Sequence, residues 1–237
     1  MTERVLKRTP PELFGDLPPT GTYTIHIDGE WSLEDLYVFP HTFEQVYFLL
    51  YSLLPNYDDF ELERIEYAYR AFPWRGDGYS AVNFYNQLRY VIPIRQRQQL
   101  ISINYASPGL LEIGLVLTVA VTVGRIVKSL CDSINQVNQT YGNIMKGMHD
   151  RKLLRLEERR RGLDLERDEL EFTEKSLNTM AHILGFDDVK EINRRTGHPY
   201  KSLKILLSLY RRMRTLADYQ RREKARFTDN RRDRDDG

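Results

Sequence analysis

The sequence predicts an α+β fold: a small, mainly antiparallel sheet with flanking helices, followed by a long helical hairpin and a C-terminal helical segment. Three observations predict it. Short runs that alternate apolar and polar residues, the period of a half-buried strand, fall before Ile113. From Ile113 the apolar residues recur instead at three and four: Ile113, Val116, Ala120, Val123, Val127, Leu130, Ile134, Val137, Tyr141, Ile144 and Met148. That spacing keeps one side of a helix against a partner over roughly 50 Å. A second run then carries leucine at every seventh place (Leu156, Leu163, Leu170, Leu177, Leu184), and no proline between Pro108 and Pro199 breaks either run.

Residues 1–20, with Pro10-Pro11 and Pro18-Pro19 among mixed charges, read as a flexible arm. A head domain is expected over 21–112. Tyr23, Ile25 and Ile27 alternate with Thr24, His26 and Asp28 as a first strand, and Asp28-Gly29 turns the chain behind it. Thr42-Phe43-Glu44-Gln45 has the spacing of a capping box. A helix is therefore expected through Val46, Tyr47, Leu50, Leu53 and Leu54, ending at Pro55. Ile65, Tyr67 and Tyr69 suit a second strand, and a short helix nearly as well. Pro73 to Gly78 reads as a loop, and Ser80 caps a helix whose inward face is Phe84, Leu88 and Val91. Ile101, Ile103 and Tyr105 form the clearest strand, Ser107-Pro108-Gly109 a tight turn, and Leu111 and Ile113 pair back as a short hairpin.

The helical hairpin is expected over 113–184. Leu115 to Val123 is apolar all round, whereas beyond Lys128 the back of the helix carries Asp132, Asn135, Gln136, Gln139 and Asn143. Such a helix passes through a core and then projects from it. Gly142 and Gly147 mark the expected bend, after which the leucine run returns antiparallel against the first helix. Leu154, Leu165, Phe172 and Ile183 add a second apolar stripe, and a rod with two apolar sides asks for a second protomer. Leu156, Leu163, Leu170, Leu177 and Phe172 are accordingly the candidate assembly residues. A C-terminal helical segment follows over 185–225. Gly185 and Gly197 punctuate it, and Pro199 opens a last helix through Leu203, Leu206, Leu207, Tyr210, Met213 and Ala217. Residues 226–237 read as a disordered tail.

Composition narrows function mainly by exclusion. The 237 residues are 41% apolar and 29% charged with a formal net charge of +1, so no global field draws the chain to nucleic acid or anionic lipid. Cys131 stands alone, which excludes an internal disulfide and suits a reducing, cytoplasmic setting, and the N-terminus lacks the apolar stretch of a secretory signal. No phosphate loop, nucleophile elbow or metal-ligand spacing occurs, and neither metal nor cofactor is expected. His26 and Asp28 share a face of the first strand; acid–base work is one reading and exposed residues on an edge strand another.

A non-catalytic oligomerising adaptor or scaffold fits these features. Its head would bind a protein or ligand, Trp74, Arg75 and Tyr79 being the candidate surface, and its long helices would assemble copies. Two other readings stay open. The apolar stretch 110–127 would serve a membrane-associating effector, although its fully apolar part is shorter than a bilayer core. Lys201, Lys204, Arg211 and Arg222, interleaved with Tyr210 and Tyr219, would serve contact with a nucleic acid.

Overall fold

The computed structural model describes residues 19–54, 57, 59–71, 78–151, 153 and 167–228. The chain is α+β: four antiparallel strands and, among the described residues, seven α-helices. Strand β1 (Thr20–Ile27) buries Tyr23, Ile25 and Ile27 on one face. It lies inside the sheet rather than at an edge, since the strand order is β2-β3-β1-β4.

Helix α1 (Leu33–Ser52) starts nine residues before the expected box at Thr42. Its own capping box is at Ser32: the Asp35 N–H donates to Ser32 Oγ at 3.1 Å, and the Ser32 N–H donates to Asp35 Oδ2 at 2.8 Å. Pro40 sits within this helix on its exposed side, where the loss of the hydrogen bond proline cannot donate is least costly. Helix α2 (Asp59–Ala71) decides the stretch that sequence left open. Ile65, Ala68 and Tyr69 are buried at helical spacing, and Tyr67 faces out. Helix α3 (Gly78–Val91) buries Phe84 and Leu88 as expected.

Strands β2 (Gln99–Asn104) and β3 (Gly109–Val116) form the hairpin. Gly109 permits its close turn, because a Cβ there would lie 2.5 Å from the Asn104 carbonyl oxygen. The long helix α4 (Leu117–Asp150) begins four residues later than its periodicity suggested. Ile113 and Leu115 alternate inward from β3 opposite Tyr23 and Gly21, and strand pairing takes them before the helix starts. Its irregularity is at Ser133 (φ −124°, ψ 15°), whose hydroxyl bonds the Ser129 carbonyl at 2.8 Å, and not at the glycines.

Helix α5 (Arg167–Ile183) lies chiefly against the last helix, α7 (Pro199–Arg221), and more lightly against α4, so the expected pairing with α4 alone is replaced by a three-helix packing. Leu177 and Leu184 are buried in that packing. Phe172 rests on Gly147 of α4, where a Cβ would stand 2.5 Å from its ring, and the Arg151 guanidinium covers it at 4.2 Å. The short helix α6 (Lys190–Thr196) ends at Gly197 in the left-handed region (φ 69°). Helix α7 touches α1, α4, α5 and α6 and buries Tyr200, Leu203, Leu206, Leu209, Met213 and Leu216, so it is the central rod of the molecule. The tail expected to be disordered from Arg226 instead begins as β4 (Ala225–Phe227), which pairs with β1; residues 229–237 lie outside the described chain.

Candidate binding groove beside an open sheet edge

The sheet has two unlike edges. Strand β4 is three residues long, carries Arg226, and follows Lys224; short length and positive charge both discourage pairing with another strand. Strand β2 is six residues long, reads Gln-Leu-Ile-Ser-Ile-Asn, and has neither charge nor proline. Leu100, Ile101 and Ile103 on it are 64%, 54% and 48% exposed.

Between this edge and α1 runs an open groove of about 540 Å³. Leu100 and Ile103 of β2, Leu111 and Ile113 of β3, and Leu36, Pro40 and Phe43 of α1 make it apolar. Tyr37, His41, Glu44 and Gln98 form its polar rim, and among the described residues nothing walls its far side. The Gln98 amide holds the rim closed at one end by donating to the Glu44 carbonyl at 3.4 Å. On helix α1, Phe43, Val46 and Tyr47 are drawn into the core, while Leu36 and Tyr37, nearer its start, stay exposed at the groove.

A chain of polar contacts leads inward from that rim. Tyr37 stacks on His41 (5.5 Å between centroids, 12° between planes). His41 Nε2 lies 2.9 Å from Gln45 Nε2, and Gln45 Oε1 accepts from Arg212 Nε at 2.6 Å. With its oxygen so engaged, Gln45 donates from its amide to His41, which leaves the imidazole N–H on Nδ1, toward Glu44 at 4.0 Å. Arg212 also donates to Ser208 Oγ at 2.7 Å and stands 3.9 Å above the Tyr85 ring. Burial makes its charge costly and lowers its pKa. The bonds from Arg212 to Gln45 and to Ser208 anchor α1 to α7.

The residues nominated from sequence fall elsewhere. Asp28 accepts from Ser107 Oγ at 2.6 Å and from the Gly29 N–H at 2.8 Å, and these bonds hold its carboxyl below the usual range. It pins the β2–β3 turn, and His26 is aligned with Leu110 and Arg226 on the neighbouring strands. The Cys131 thiol donates to the Ala217 carbonyl at 3.6 Å, and burial raises its pKa. Leu170 is 38% exposed, Leu177 belongs to the core, and Phe172 is packed against it. Leu156, Leu163, Trp74 and Arg75 lie outside the described residues; Tyr79 is in the first turn of α3, with its side chain likewise outside them.

Lys201, Lys204 and Arg211 of the central helix and Arg222 at its C-cap are strung along roughly 30 Å of one side of it. Lys204 sits 5.3 Å over the Tyr200 ring, and Arg211 donates to the Tyr141 hydroxyl at 3.2 Å. Among the described residues there is no cluster of His, Cys, Asp or Glu suited to a metal ion, and no helix long and apolar enough to cross a membrane.

Sequence reasoning identified β2 as a strand but missed the groove residues Leu36, Tyr37, Leu100 and Ile103 as a surface. The available signal was the uncharged run from Gln99 to Asn104, whose meaning depends on which strand ends the sheet. Comparison of the chain with protein-family models, with curated proteins and with solved structures finds no match.

Proposed function

We propose that this protein is a non-catalytic assembling scaffold, and that its contact surface is the β2 edge with the adjoining groove. One observation carries the reading: among the described residues, an uncharged strand edge without a partner strand lies beside an open apolar groove. Exposed main-chain donors and acceptors in a row form a template for an added strand, and apolar side chains beside them supply the burial that makes the addition favourable. The burial of Leu177 moves the proposed contact from the leucine-bearing helix to the sheet.

Light scattering of the purified chain across a concentration series tests the reading. A species larger than one chain, growing with concentration, is the expected result. A monomer throughout the series overturns it.

A further inference from the structure

The occupant of the β2 edge follows from the strand's own pattern, given the assembling role proposed above. We infer that β2 pairs antiparallel with β2 of a second copy about a two-fold axis between Ile101 and Ser102, joining two four-stranded sheets into one of eight. Such an axis stands perpendicular to the sheet and keeps each residue on its own face. In a regularly alternating strand, residues paired across a bond-centred axis would face opposite sides. β2 is not regular: its register with β3 shifts between Leu100 and Ser102.

The faces follow from that register. Leu100 is opposite Ile113 and Ile103 is opposite Leu111, both on the groove side. Gln99, Ser102 and Asn104 are opposite Gly114, Glu112 and Leu110 on the outer side, and Ile101 lies over Gly114 there. About the proposed axis each residue therefore meets one of its own face. Leu100 meets the copy's Ile103, Gln99 meets Asn104 as an amide pair, and Ile101 meets Ser102. A shift of one residue either way sets an apolar side chain against an amide.

Charge and area agree with this occupant. β2 itself carries no charge, so pairing it with its equivalent brings no like charges of the strand together, and Glu112 of β3 is engaged by the Ser102 hydroxyl at 2.6 Å. The copy's α1 would supply the missing far wall of the groove, with Leu33, Leu36 and Tyr37 (86%, 41% and 68% exposed) filling the space between the two helices. Together with β2 these residues expose several hundred Å² of apolar surface per copy, the scale of the ~800 Å² that each side of a stable interface buries.

Cysteine exchange and light scattering test the register on the full chain carrying Cys131→Ala. Gln99→Cys and Asn104→Cys proteins are prepared separately, then oxidised alone and as a mixture. A disulfide-linked dimer that forms from the mixture and from neither protein alone is the expected result, because residue 99 is opposite residue 104 and about 17 Å from its own equivalent. Ile103→Lys should raise the dimer dissociation constant at least tenfold while leaving the melting curve of the diluted monomer unchanged. A dimer that survives Ile103→Lys and gives no mixed disulfide overturns this pairing and leaves the assembling role standing. A monomer at every concentration overturns both.

Discussion

At the scale of single residues, the strongest constraints are cations held inside the fold. Arg195 is 1% exposed; it donates from Nε to Glu191 at 2.5 Å and from Nη1 to the Ser52 carbonyl, with the rings of Tyr69 and Tyr57 at 5.8 and 6.0 Å. It ties α6 to the end of α1. Arg195→Met leaves that carbonyl without its donor and is expected to cost about 2 kcal/mol in urea denaturation, the scale of a lost charged hydrogen bond. Two carboxylates set the acid limit. Glu191 is drawn from its ordinary 4.5 down to about 2, chiefly by hydrogen bonds from Arg194 and then from Arg195. Asp35 is held far below the carboxylate range by Lys224 first and then by the Ser32 N–H. Both pKa values are depressed on folding, so their contribution is complete above about pH 4.5 and is lost as pH falls toward 2. Melting temperature should fall across that window, and Lys224→Met should shrink the fall by removing much of the Asp35 share.

At the scale of elements, two glycines of α4 separate propensity from packing. A Cβ at Gly142 would meet nothing within 4 Å, whereas one at Gly147 would press into the Phe172 ring at 2.5 Å. Gly142→Ala is expected to stabilise by up to about 1 kcal/mol, the helix propensity difference. Gly147→Ala gains the same amount but must displace a ring pinned beneath Arg151, and overpacking of this kind costs about 1–3 kcal/mol. Thermal denaturation of the pair should therefore show opposite signs. In sequence both glycines looked like bends. The spacing of α4 could not separate a flexible joint from a site of close approach, because only the position of Phe172 on another helix makes the distinction.

For the whole molecule, stability and assembly should come apart under two substitutions. Leu177→Ala opens a cavity in the packing of α5 and is expected to cost about 2–5 kcal/mol, with no change in the mass of the folded species. Ile103→Lys acts on a side chain already 48% exposed, so the fold should keep its melting temperature while light scattering reports smaller species. The reverse pattern would return the contact surface to the leucine-bearing helix.

Much of this architecture was legible before any coordinates. The alternation of Tyr23, Ile25 and Ile27 and the helical spacing from Val116 to Met148 each state which side of an element is apolar, and burial follows them, whereas Ile101 and Ile103 mark a strand but stay half exposed. Local periodicity carries that information because side-chain direction is fixed by backbone geometry within a few residues. It does not say what covers the apolar side. The second stripe called for another chain; of its residues Phe172 and Ile183 are packed against the core from within, and Leu154 and Leu165 lie outside the described residues. Whether a strand is central or at an edge is likewise settled by partners far along the chain: Ile25 owes one neighbour to Leu111 and the other to Phe227. The sequence by itself determined the apolar faces of β1, α3 and α4, while the start of α1, the helical state of α2 and the strand β4 came from the structure. Only the tertiary structure decided that β2 ends the sheet among the described residues, because edge position is a property of the whole set of pairings and belongs to no single segment.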